Sequence, residues 1–280
     1  MRVTRVSAAL GVLVDDVDVR QASTDEWDAL RRMLFETDHL LVLRGPELDD
    51  AEHLEAVRHF GPVADEGFGT PALVKFVSNH RADGALGSMA ASWHIDYGFF
   101  PHPYQAISLY GLEIPPGGTE TRFVNAVLAA SDLPDGLRAR VTGLHARQVA
   151  DVSSPVGEAG VRVRLGRLDE TYPHAVRPVL WPHRVTGEEI LGVWEQQTDA
   201  ILPLDPEESS ALIEELFAHL YREDHVYVHR WQPGDLVVWD NHAVQHSRPD
   251  VGVEHRRTLR RVSVGETQDL TLFARRAAAR

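Results

Sequence analysis

GDLVVWDNHAVQH, residues 234 to 246, is the stretch on which the fold turns. Gly234-Asp235 makes a turn, Leu236 to Trp239 is an apolar run of strand length, and the polar exit leaves His246 near a strand end. Outward from it, short β-rich runs between Gly and Pro turns are expected at Ala106 to Tyr110, Val161 to Leu165, Val226 to Trp231 and Thr258 to Val264. HVYVHRW (225 to 231) alternates as a strand with one wet face does. Elsewhere the apolar period becomes helical, over Thr24 to Glu36, Asp49 to Phe60 and Pro206 to Arg222. Between the first two helices, His39 to Arg44 reads as a buried strand. The pattern predicts an α+β fold with a mainly β core, a double-stranded β-helix (jelly roll) with flanking helices. One domain is expected over residues 1 to 280, with the core at about 90–265 and an N-terminal α/β elaboration at about 1–65.

Composition narrows the function. A net charge of -14 argues against nucleic acid, whose binding rests on clustered Lys and Arg. With no Cys there is no disulfide, thiolate ligand or cysteine nucleophile, so any metal must use His and carboxylate. The N-terminus lacks an apolar h-region and no run approaches the ~20 apolar residues of a membrane span. A cytoplasmic protein with no membrane partner is expected.

In WHID (93 to 96), residues two apart share a face of an extended chain, so His94 and Asp96 can converge on one ion. Among 15 His this spacing is not distinctive, and a surface turn explains it equally. His246 adds a second imidazole. Two His and one carboxylate on a β scaffold make the facial triad of non-haem iron, which leaves coordination positions open, whereas zinc tends to close a tetrahedron. His242 and His246 have the spacing of a helical metal-binding pair; His246 is preferred because Val237 to Trp239 reads as strand. In RRTLRR (256 to 261), Arg257 and Arg261 share one face of a strand and point inward, with Arg256 and Arg260 pointing away. Inward arginines need an anion, and a dicarboxylate supplies one; a solvated edge strand is the alternative.

Taken in order, WHID, the PPGGTET turn (115 to 121), GDLVVWDNHAVQH and RRTLRR resemble the taurine dioxygenase / 2,4-dichlorophenoxyacetate dioxygenase family. HLLVLRG (39 to 45) and HFGPV (59 to 63) extend the similarity upstream. The resemblance implies an Fe(II)- and 2-oxoglutarate-dependent oxygenase that uses O2. His94, Asp96 and His246 match the iron ligands, and Thr121 with Arg257 match the pair that binds the distal carboxylate of 2-oxoglutarate. Arg261 matches a position near the substrate or the proximal carboxylate. Hydroxylation of an unactivated C–H bond in a small, anionic substrate is the implied reaction, with succinate and CO2 released and a homo-oligomer as the expected assembly. Halogenating relatives carry a small residue where Asp96 stands, which argues against halogenation. Desaturation, isonitrile formation from an N-substituted amino acid, or a non-enzymatic metal-binding jelly roll are the alternatives. Tyr97 and Phe99, directly after Asp96, and Phe76 and Ser78 are candidate substrate contacts.

Overall fold

A computed structural model describes residues 1–66, 72–150, 173–252 and 254–267. The expected strand Val161 to Leu165 lies outside the described residues.

Each of the two N-terminal helices starts with a reciprocal cap. Ser23 accepts from the Glu26 N–H while the Glu26 carboxylate takes the Ser23 N–H at 2.9 Å, opening helix Thr24–Arg32. Asp49 and Glu52 do the same for helix Asp50–Arg58. The first helix ends sooner than its apolar period predicts and widens into a π-helical turn, Met33–Thr37. Helix Pro206–Leu220 begins with Pro in its first turn, where the missing N–H is no loss, and with Asp205 accepting two backbone N–H bonds at 2.9 Å.

Among the described residues the largest sheet has nine strands. Its centre is Leu236–Asp240, paired antiparallel with Leu40–Leu43 on one side and Ala106–Glu113 on the other, and Thr258–Val264 follows beyond. A four-stranded sheet runs Val226–Arg230, Glu120–Asn125, Val244–Arg248, Ala91–His94. The two sheets meet through one apolar layer, in which Phe123 and Val244 of the smaller sheet pack with Leu109, Val237, Trp239 and Leu259 of the larger. On the far side of the large sheet Trp27, Leu30, Leu34 and Val57 of the helices cover Val238, Val262 and Val264. Behind the small sheet, Leu212, Ile213 and Leu216 of helix Pro206–Leu220 pack with Val124. The apolar run at 236 to 239 is therefore continuous because both faces of that strand are covered. Among the described residues no helix is long and apolar enough to cross a membrane.

One expected strand turns out to be two. After Asp240 the chain turns, with Asp240 Oδ1 accepting from the His242 N–H at 2.8 Å, and passes from the large sheet into the small one. His246 is the third residue of the second strand, Val244–Arg248.

Candidate active site

Sheet register assembles the site. His246 and His94 are direct cross-strand partners on antiparallel neighbours, which brings their ring centroids to 4.1 Å. Their chain neighbours face the other way: Trp93 stacks on Tyr221, and the Gln245 amide reaches the Val193 carbonyl. Asp96 lies two residues past His94, beyond the end of strand Ala91–His94. Its carboxylate oxygens stand 3.8 Å from His94 Nε2 and 3.6 Å from His246 Nε2, too far for hydrogen bonds. The three ligand atoms lie within 4.8 Å of one another. His94 Nδ1 is 2.7 Å from the Ser92 carbonyl, so it carries the proton and leaves Nε2 free to coordinate.

Asp96 stands outside any strand, yet its backbone is held on both sides by Asn241. The Asn241 side chain accepts from the Asp96 N–H at 2.9 Å and donates to the carbonyls of Asp96 at 3.0 Å and Tyr104 at 2.9 Å. Tyr97 then turns the chain with φ 58°, a left-handed conformation that costs a non-glycine residue about 1–3 kcal/mol. Its ring packs with those of Phe99, Phe100 and Tyr104. At Gly98 a side chain is excluded, because a Cβ there would meet Trp194 at 2.3 Å.

Burial alone would raise the Asp96 carboxyl, but Arg261 and the two imidazoles overcome it and hold the group down to about 2. Burial pushes both imidazoles below their ordinary value, His246 furthest, so both are neutral donors at neutral pH. Arg261 reaches Asp96 at 3.1 Å through Nη1 and Glu66 at 2.6 Å through Nε, while its Nη2 is buried without a hydrogen-bond partner. Glu66 also accepts from the Ser263 hydroxyl at 2.5 Å.

Arg257 is in a different state. It is 2% exposed, its backbone is tied to Asn79, and its Nε and Nη1 have no hydrogen-bond partner. Burial first, then the neighbouring Arg248, push its guanidinium down to about 9, still cationic at neutral pH. A buried, hydrogen-bond-starved cation is a demand for an anion. Thr121 is buried too, and its hydroxyl accepts from the Trp231 indole at 2.9 Å, which leaves the hydroxyl proton available to a carboxylate.

Other expectations need correction. Phe76 pairs with Arg260 and Ser78 with Thr258, so both lie on the face of strand Lys75–Ser78 turned away from Arg261. Ser78 bonds the Thr258 hydroxyl at 3.0 Å, and the Arg81 guanidinium covers Phe76 at 3.8 Å. The residues of that strand on the Arg261 side are Lys75 and Val77. Arg260 points away from the site as the alternation predicts, but into a buried layer, where Asp50 at 2.6 Å and the Leu48 carbonyl at 2.8 Å hold it. His242 lies in the turn between the two strands, its ring tilted 31° to that of Trp181 at 4.9 Å. His183 and His219 face Asp240 and Asp132. Two site residues escaped the sequence. Asn241 lies inside the deciding stretch, where its place between two strands is the signal; Glu66 has none.

Residues 3–263 match the family described as Taurine catabolism dioxygenase TauD, TfdA family. The chain is 30% identical over 276 residues to an alpha-ketoglutarate-dependent 2,4-dichlorophenoxyacetate dioxygenase of Cupriavidus pinatubonensis, covering 89% of this chain and 92% of that protein. It is 31% identical over 287 residues to pentalenolactone F synthase of Streptomyces arenae, with 94% of each covered. The crystal structure of a taurine dioxygenase from Burkholderia xenovorans superposes with a TM-score of 0.78 at 25% identity, covering 94% of this chain and 90% of that one. At 21% identity, AAD-2 in complex with Mn(II) and N-oxalylglycine shares the fold with a TM-score of 0.76, over 95% of this chain and 98% of its own. Family match, relatives and the His-Asp-His cluster agree: the chain belongs to the TauD, TfdA family and is an oxidoreductase of the Fe(II)- and 2-oxoglutarate-dependent oxygenase class.

Proposed function

We propose that His94, Asp96 and His246 bind iron(II), that Arg257 and Thr121 seat the distal carboxylate of 2-oxoglutarate, and that the enzyme hydroxylates a small carboxylic acid. The observation that carries this is the orphaned, buried Arg257 guanidinium in a chain that also presents three convergent N and O donors. Bound iron supplies the oxidative decarboxylation of 2-oxoglutarate by O2 and the cleavage of a substrate C–H bond, with succinate and CO2 released. The protein's part is to orient and to exclude water. The Ser92 carbonyl fixes the His94 tautomer, and Arg261 keeps Asp96 ionised and aimed. The Thr121 hydroxyl donates while Arg257 contributes paired N–H donors, a geometry suited to carboxylate. The two facing sheets fit the halves of a double-stranded β-helix in one domain, with the metal site between them.

Arg261 by itself does not argue for an anionic substrate, since two carboxylates already match its charge. What favours a carboxylic acid with an apolar body is the aromatic group of Tyr97, Phe99 and Phe100, together with relatives that act on 2,4-dichlorophenoxyacetate and (S)-phenoxypropionate. The test is a screen of succinate release over aryloxyalkanoates, sulfonates, amino acids and N-substituted amino acids, with mass spectrometry of each product. An aryloxyalkanoate that raises succinate release and gains one oxygen supports the reading. Release that no substrate stimulates, or that survives His94→Ala, refutes it.

A further inference from the structure

Among the described residues three clusters of His and carboxylate bring donors within 4.8 Å of one another, and the site above uses one. In the second, His39, His183 and Asp240 are all buried, so a cation has no open way in. The third has an exposed carboxylate, Asp132. Asp132 follows helix Ala126–Ser131, His219 is in the last turn of helix Pro206–Leu220, and His225 ends the short turn Glu223–His225.

The two imidazoles approach one carboxylate from opposite sides. His219 Nε2 is 3.1 Å from Asp132 Oδ1 and 2.8 Å from the Ala129 carbonyl, and His225 Nε2 is 3.1 Å from Oδ2. His225 Nδ1 lies 3.1 Å from the Leu220 carbonyl, so both nitrogens of this buried ring face acceptors. A ring whose Nδ1 donates to the Leu220 carbonyl presents its Nε2 lone pair toward Asp132, the arrangement in which an imidazole binds a cation. The surroundings are negative, because two helices end here and present the Ala129 and Leu220 carbonyls beside the Asp132 carboxylate.

We infer that Asp132, His219 and His225 form a second, non-catalytic site for a zinc-class divalent cation that staples the C-terminal ends of helices Ala126–Ser131 and Pro206–Leu220. A tetrahedral ion with bonds of about 2.0–2.1 Å holds its ligand atoms about 3.3 Å apart, close to the 3.1 Å between each imidazole and the carboxylate. The Nδ1–H of His225 on the Leu220 carbonyl is the outer brace that metal-binding imidazoles usually have. Asp132 is 38% exposed, which opens a path for the ion and leaves room for water to complete its shell. Arg222 now touches Asp132 at 3.4 Å, but it is also held by Asp224, onto which the incoming ion displaces it. Donors of this kind, two imidazoles and a carboxylate without thiolate, suit zinc over magnesium or calcium.

The inference stands apart from the proposed reaction and is tested by counting metal. Full-length chain stripped with chelator is dialysed to equilibrium against zinc, and bound zinc is measured. Asp132→Asn/His225→Gln should bind one equivalent fewer than wild type, and zinc should raise the melting temperature of wild type more than that of this variant. His94→Ala/His246→Ala should keep the equivalent that Asp132→Asn/His225→Gln loses. Equal zinc in wild type and Asp132→Asn/His225→Gln overturns the site. If the double substitution does not fold, His225→Gln alone is judged by the same difference.

Discussion

Replacing Arg257 by Met should have effects of opposite sign on the free enzyme and on its complex with 2-oxoglutarate. The drop of the guanidinium from 12.5 to about 9, at 1.36 kcal/mol for each pH unit, means that the empty site disfavours the charge by roughly 5 kcal/mol. Met fills a similar volume without charge or unpaired N–H groups, so the variant without cosubstrate should be about 1–4 kcal/mol more stable than wild type in urea unfolding. Binding should suffer in the other direction. Removing one partner of a buried ion pair costs about 3–5 kcal/mol, so the Kd of 2-oxoglutarate should rise roughly a hundred- to several-thousand-fold. Anaerobic calorimetry with iron present measures the affinity, and the same preparation gives the iron stoichiometry, which should not change. Wild-type affinity for 2-oxoglutarate would refute the anchoring role of Arg257, and a destabilised free variant would refute the claim that its charge lacks a partner.

Asn241→Ala should strip the Asp96 backbone of both its bonds and the Tyr104 carbonyl of one, at about 1–3 kcal/mol for each group left unsatisfied. Iron should then bind about 10–100-fold more weakly, as titration under argon would show; unchanged iron affinity would mean that Asp96 is positioned by something else. Glu66→Gln keeps the shape but removes one of the two negative partners of Arg261, and urea midpoints should register a loss of about 1.5–3 kcal/mol. Acid should weaken the fold well above the pH at which carboxylates titrate. Burial first, then Arg260, lower His53 to about 3, and burial, opposed by Asp240, lowers His242 to about 4. Between 6.5 and those values the unfolded chain binds protons that the folded chain does not, so stability falls with falling pH, by up to about 1.4 kcal/mol per pH unit for each residue. His53→Gln should flatten the slope of unfolding free energy between pH 6 and pH 4, and an unaltered slope would exclude His53 as its source.

That His94, Asp96 and His246 come together was legible through the order of motifs that carries the family resemblance, because neither the His-x-Asp spacing nor one histidine among 15 is distinctive by itself. The strand Thr258–Val264 was legible to the residue, since its burial on both faces leaves an uninterrupted β pattern. The parity of Lys75–Ser78 was not. Apolar residues usually mark the inward face, but the interior here is a charged site, so Lys75 and Arg261 occupy it while Phe76 turns outward under Arg81. Nor did the sequence show that the chain changes sheets at Asn241, because apolar residues continue on both sides of the turn. Glu66 acquires its importance only by meeting Arg261, 195 residues away, and no local pattern encodes that.

The strand Thr258–Val264 carries one arginine on each face, Arg260 held by Asp50 in the helix layer and Arg261 held by Asp96 and Glu66 in the site. Side-chain direction along a strand has a period of two, so losing or gaining one residue would exchange the two guanidiniums between layers. Charge and composition would be nearly unchanged, yet Asp96 would lose its cation and the helix layer would receive one at the wrong height. Lineages descended from this chain can therefore vary the residues of the strand far more freely than its length, and indels should accumulate in the turns at either end instead.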